Sequence, residues 1–192
     1  MLSRLRPAVV LLALFTLLTG LIYPLVITGL TQVVLPSSAN GSLVKRTNQA
    51  VGSELIGQSF SSDRYFWPRP SAAGDKGYDA ASSSGSNLGP LSKKLIDRVE
   101  GDVSALRQAG ATIIPGDAVT TSASGLDPHI SPAYAELQIA RVAAIRKMTE
   151  ARVRLLVEAT IERPALGFLG EPRINVLRLN LALDATRPGG AG

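Results

Sequence analysis

The sequence predicts an α+β domain carried on a single N-terminal transmembrane helix. Three observations predict it. The chain has no charged residue from Pro7 to Val44, and three later segments place apolar residues at helical spacing. Near the end, Leu177, Leu179, Leu181 and Leu183 alternate with Arg178, Asn180, Ala182 and Asp184, the period of a half-buried strand. At 192 residues there is room for one ordinary domain beside the helix. With no cysteine and one histidine, the chain cannot form disulfides, iron–sulfur or cysteine-zinc centres, a cysteine nucleophile, or a metal site needing two imidazoles.

Within the uncharged run, Ala8 to Leu35 is the transmembrane element. Its 28 residues would span about 42 Å as a helix, whereas the hydrocarbon core needs only about 20 residues. A cleaved signal peptide is the competing reading, with Ser37 and Ala39 as small residues at the cleavage position. Signal h-regions run only about 7–15 residues, so an uncleaved anchor is preferred. Arg4 and Arg6 sit close to one end, while Lys45 and Arg46 lie some ten residues beyond the other. The positive-inside rule therefore places residues 1–7 in the cytoplasm and the domain after the helix outside, in a single-pass protein. Thr16, Gly20, Pro24, Thr28 and Gln32 recur every four residues and form one stripe. In lipid, small and polar residues at this spacing let a second helix approach. Pro24 removes a backbone donor and should kink the helix.

Residues 40–186 read as one soluble domain, with residues 187–192 a frayed tail. Its charge is mixed, 18 basic residues against 15 acidic from Asn40 onward, so no nucleic-acid surface is expected. A first helix is expected from Asn87 to Ala109, with Leu91, Leu95, Val99, Val103 and Leu106 on its apolar face and Gly110 as its stop. Ser131-Pro132 is an N-cap followed by proline at the first helical position, opening a helix to about Met148. Thr149 caps another, with Val153, Leu156 and Val157 on its apolar side. Besides the run ending at Asp184, short strands are expected around Ser42–Val51 and Ala111–Ile114. Ser-, Gly- and Pro-rich loops occupy Ser61–Pro90 and Pro115–Pro132.

Catalytic signatures are sparse. The chain has no GxxxxGK[ST] loop, no GxGxxG and no GxSxG elbow. Ser42-Leu43-Val44-Lys45 matches SxxK, but the SDN and KTG partners of that motif are missing. Asp127, His129 and Ser131 look like a triad on paper and would suit an anchored envelope hydrolase. Side chains so close along a loop do not converge on one point, and a loop histidine beside a capping serine is the preferred reading. Tyr65-Phe66-Trp67-Pro68-Arg69 gathers three of the nine aromatics, and Tyr65, Phe66, Trp67 and Arg69 suit either a partner contact or a plug for the domain's own core. The Ser82–Pro90 stretch is read as a plain loop, with an anion cradle as the alternative.

Several segments resemble the C-subunit (KdpC) family of the Kdp potassium-transporting ATPases. They are Asn40-Gly41-Ser42-Leu43, Leu55-Ile56-Gly57-Gln58-Ser59-Phe60, Arg69-Pro70-Ser71-Ala72, Gly85-Ser86-Asn87-Leu88-Gly89-Pro90, residues 119–132 (VTTSASGLDPHISP), residues 138–143 (QIARVA) and residues 175–184 (NVLRLNLALD). Asp79 and Ser84 are small departures from the pattern. The resemblance covers nearly the whole chain. It implies a non-catalytic subunit working beside a channel-like potassium-translocating subunit, an ATP-hydrolysing P-type subunit and a very small hydrophobic subunit. It also implies a catalytic-chaperone role, in which Gln138 of the Q-[IV]-x-R-V-A motif contacts ATP and nucleotide affinity of the hydrolysing subunit rises. That role conflicts with the charge-derived topology, because ATP is not available outside the cell. Gln138 is then expected to be a helix-surface residue, solvated or at an interface, and the domain to cap the outer potassium entrance.

Overall fold

The computed structural model describes residues 2–186, with side chains from residue 5 onward. The tail expected to fray, residues 187–192, lies outside them. The chain divides into two compact units, Met1–Val51 and Gly52–Gly192.

The first unit begins with helix α1 (Leu2–Leu17), which passes through a π-helical turn (Leu18–Ile22) into α2 (Tyr23–Val34). Together they form a helical span, Leu5–Val34, of 30 residues, long and apolar enough to cross a membrane and unburied by the rest of the chain. The π turn falls immediately before Pro24, where a missing N–H interrupts the i→i−4 ladder. The helix rewinds locally there and continues. Thr19 and Thr31 hydroxyls donate to carbonyls of their own helix, Phe15 and Ile27. Beyond the span, the short helix α3 (Pro36–Ala39) leads to Asn40, whose amide donates to the Gln32 side-chain oxygen at 3.0 Å. Strands β1 (Leu43–Arg46) and β2 (Gln49–Ser53) then form a hairpin where short strands are expected, around Ser42–Val51. Thr47 and Asn48 turn it with φ of 49° and 67°, the left-handed pair that two-residue hairpin turns require.

In the second unit, loops run from Glu54, after β2, to the helix α4 (Lys93–Gln108). This helix starts later than its apolar pattern, because Gly89-Pro90 breaks the run and leaves Leu91 93% exposed. Gly110, at φ +95°, ends it as expected: its N–H bonds the Arg107 carbonyl, and Ala111 N–H bonds that of Leu106. Ser131 caps α5 (Pro132–Arg146) and Thr149 caps α6 (Glu150–Ala159), each hydroxyl accepting from the N–H three residues on. A small antiparallel sheet has the order β3 (His129–Ile130), β5 (Arg173–Asn175), β4 (Ile161–Glu162). In its register, Ile174 lies opposite both Ile130 and Ile161.

Two strand expectations are corrected. Leu177–Asp184 is not a strand but lies in helix α7 (Val176–Ala185), capped by the Asn175 side chain accepting from Arg178 N–H. Val176, Leu179, Asn180 and Leu183 make one helical face, all buried. The even leucine spacing coincides with strand period, but Leu, Arg and Ala favour a helix once Asn175 starts one. Ala111–Ile114 is likewise irregular: among the described residues no strand lies beside it, Pro115 follows, and Ile113 is 80% exposed. The core is formed by α5, α6, α7 and β5 with Phe66 and Val119 packed among them.

Candidate functional site

The residues singled out for function converge on one segment, residues 63–67. Five consecutive carbonyls there accept hydrogen bonds from side chains of α5 and α7. Arg141 donates to Asp63 and, at 3.1 Å, to Tyr65; Arg146 Nε donates to Arg64 at 2.7 Å. Asn180 Nδ2 donates to Phe66 at 3.0 Å and Gln138 Nε2 to Trp67 at 3.1 Å. The same two amides accept in return, Phe66 N–H donating to Asn180 Oδ1 at 2.8 Å and Trp67 N–H to Gln138 Oε1 at 2.7 Å. Two side-chain amides thus do for Phe66 and Trp67 what a neighbouring strand would do. Helical spacing makes this possible: Gln138 and Arg141 are i,i+3 on α5, and Asn180 and Asp184 are i,i+4 on α7.

The aromatics complete the clamp. Phe66 is fully buried, so it belongs to the core and not to a partner surface. The Arg141 guanidinium lies 3.7 Å from the centre of the Trp67 ring, and Arg146 lies 4.9 Å from that of Tyr65. Tyr65 Oη donates to Asp184, which also pairs with Arg146 at 2.8 Å. Burial lowers the Arg141 pKa, which nearby Asp63 partly offsets. Gln138 is only 5% exposed, which corrects its expected place on the helix surface. Its oxygen also accepts from Arg141 at 2.8 Å and its nitrogen donates weakly to the Tyr134 carbonyl, so both lone pairs and both protons of the amide have partners.

Next to the clamp, a cleft of about 890 Å³ opens between Arg69, Asp127, His129 and the 163–173 loop. Arg69 donates to Asp127 at 3.0 Å and to Thr120; Tyr78 Oη donates to the Arg69 carbonyl at 2.6 Å, and burial pushes that phenol up. His129 Nδ1 lies 3.3 Å from Asp127 and its Nε2 3.8 Å from Glu162. Ser131 turns away: its hydroxyl donates to Asp117 at 2.9 Å and accepts from Tyr134 N–H. Among the described residues no hydrogen bond joins Ser131 to His129, so the three residues do not form a hydrolytic triad.

Burial raises the Asp127 carboxyl, but hydrogen bonds from the His129 side chain and N–H and from Arg69 outweigh it and hold the pKa at about 2. A depressed carboxylate contributes stability that is complete above the unfolded value near 4 and disappears as pH falls through about 2. Wild-type unfolding free energy should therefore drop by about 2 kcal/mol more than that of Asp127→Asn between pH 4 and 2. Chemical denaturation of the full chain in detergent at both pH values measures this.

The Ser82–Pro90 loop is bound to the chain itself. Ser84 N–H and Ser83 Oγ both donate to the Ser124 carbonyl at 3.0 Å. Gly125 sits at φ +67° with a would-be Cβ 2.6 Å from the Ser84 carbonyl, so only glycine fits. Sequence reasoning missed Asn180, Arg141 and Arg146 as clamp residues. The motif segments of Arg141 and Asn180 were visible and Arg146 lay outside any motif, and nothing local says which backbone they reach.

The fold and site define a class: a compact α+β unit, locked internally by its polar side chains, on a chain that begins with one apolar helix. Such a layout suits a subunit anchored beside a membrane-embedded machine. The family model for the c chain of the K+-transporting ATPase (KdpC) matches residues 5–185, and the chain belongs to that family. A protein of Caulobacter vibrioides (strain NA1000 / CB15N) is 55% identical over 98% of this chain and 96% of its own length. One from Polaromonas naphthalenivorans is 54% identical over 96% and 95%, and one from Koribacter versatilis 56% identical over 90% of each. All three are named potassium-transporting ATPase KdpC subunit.

Proposed function

We propose that this chain is the non-catalytic accessory subunit of an ATP-driven potassium uptake complex in the bacterial inner membrane, needed for its assembly and turnover. The N-terminus lies in the cytoplasm and the compact unit outside, following the Arg4 and Arg6 flank. The helix packs on the potassium-translocating subunit through Thr16, Gly20, Pro24 and Thr28. In support, these small and hydroxyl-bearing residues recur every four positions in a helix long and apolar enough to cross a membrane. Gln32 closes on Asn40 and contributes less. Beyond the span, the compact unit caps the outer potassium entrance and biases the conformational cycle, while the P-type subunit hydrolyses ATP and the small hydrophobic subunit completes the complex.

The observation that carries this reading is the clamp. The motif residues Gln138, Arg141 and Asn180 act on the chain's own backbone, building a rigid body rather than a ligand site. A truncation after Val51 should still co-purify with the transport subunits through its helix yet lose most potassium-stimulated ATPase activity. Unchanged activity in the truncated complex overturns the capping role. Topology is read independently by Ser82→Cys, an exposed position in a chain without cysteine. A membrane-impermeant maleimide should label it in intact cells, and labelling only after lysis would give the compact unit access to cytoplasmic ATP.

A further inference from the structure

Outside the clamp, one surface feature stands apart. Strands β4 and β5 are joined by a loop whose tip presents Leu166, Phe168 and Leu169, exposed by 82%, 74% and 54%. Leu91 and Ile113, also exposed, stand singly, as on any protein surface, and Leu55 and Ile56 make only a pair. The tip is firmly shaped. Ala165 and Leu169 exchange backbone hydrogen bonds at 3.0 and 2.9 Å, and Gly167 N–H bonds the Pro164 carbonyl at 3.1 Å. Leu166 and Gly167 both take positive φ, 55° and 82°. Asparagine or aspartate before glycine is the soluble solution for such a turn. Leucine there accepts a strained left-handed backbone and faces water as well. Nothing described inside the compact unit offsets either cost.

We infer that the 163–173 loop is an anchoring knob that inserts into an apolar pocket on the outer face of the potassium-translocating subunit, with a carboxylate of that subunit receiving Arg163. This deepens, and rests on, the capping role proposed above. Three lines of argument select that occupant. Arg163 and Arg173 flank the knob; Arg173 already pairs with Glu162 at 3.0 Å, whereas Arg163 has no ion pair or hydrogen bond among the described residues and is the cation left to offer. Cation pathways concentrate Asp and Glu at their mouths, so the outer rim of a potassium entrance offers the complementary charge. Second, a preset turn displaying one aromatic and two leucines matches the buried anchors that dominate protein interfaces. Third, three side chains fall well short of the roughly 800 Å² per partner that a free-standing interface buries. A knob this small suffices only as the second attachment of a chain already held by its helix, where binding is intramolecular.

The test uses the assembled complex carrying Phe168→Cys, labelled with an environment-sensitive fluorophore, with Leu91→Cys (93% exposed) as the solvent reference. The knob predicts blue-shifted emission at position 168 and several-fold slower iodide quenching than at position 91, only when the transport subunits are present. Water-like emission in the complex overturns it. So does a blue shift in the chain alone in phospholipid vesicles that nitroxide-bearing lipid quenches, which would make the tip a lipid-inserting loop. These outcomes are separable from the capping role, which the Val51 truncation tests by turnover.

Discussion

Asn180→Ala is expected to destabilise the compact unit by about 2–5 kcal/mol, the largest loss from removing any single polar side chain of the clamp. Asn180 is 2% exposed, and its amide makes both hydrogen bonds to Phe66, whose side chain is fully buried. Removing it strands a buried N–H and a buried carbonyl, each costing about 1–3 kcal/mol, in a place that water reaches only by opening the core. Asn180→Asp tests the same point differently. It keeps the acceptor for Phe66 N–H but sets an oxygen against the Phe66 carbonyl, and should be no better tolerated. Urea denaturation of the full chain in detergent, followed by tryptophan fluorescence, reads the loss, since Trp67 is the only tryptophan and adjoins Phe66. A change below about 0.5 kcal/mol would mean that the two amides do not replace a strand in holding residues 63–67.

The same residue explains where the sequence could and could not be read. Elements set by local chemistry were legible. The Ser131-Pro132 and Thr149 caps start α5 and α6 where expected, Gly110 stops α4, and the uncharged run gives the long helix. Helix α7 was misread because its buried face contains a polar residue. Val176, Leu179 and Leu183 would have shown a helical stripe, but Asn180 interrupts it and leaves the leucine alternation as the stronger pattern. Asn180 is inside because of a backbone 114 residues away, which no local window contains. The three-stranded sheet was missed for a similar reason. Its strands have two or three residues each, too short for a period, and are joined by pairing across the chain. The aromatic run was legible as important, but its sequence left a partner contact and a core plug equally open. Its burial follows from Arg141, Arg146, Gln138 and Asn180 meeting it from two helices.

Gln138→Ala is expected to cost about 2–4 kcal/mol and to leave ATP without any effect on the chain. Its loss strands the Trp67 N–H and carbonyl and removes a partner of Arg141, while Asn180 still holds the adjoining residue. Because both amides grip consecutive residues of one segment, the Gln138→Ala/Asn180→Ala double variant should lose less than the sum of the singles, by about 1–2 kcal/mol. Once residues 66 and 67 swing free, the second amide has little left to hold. Nucleotide contact at Gln138 makes opposite demands. A ligand at 100 times its dissociation constant raises unfolding free energy by about 2.7 kcal/mol, and that increment should vanish in the variant while the unliganded stability stays as it was. For Gln138 to reach a phosphate or ribose, its amide would have to release Trp67, loosening the very segment that orders the unit. A stable Gln138→Ala protein with lost ATP protection would therefore overturn the clamp as the reason for the motif. A destabilised one, indifferent to ATP, means that the glutamine and arginine of that motif serve together to keep rigid the body that this chain brings to its transport partners.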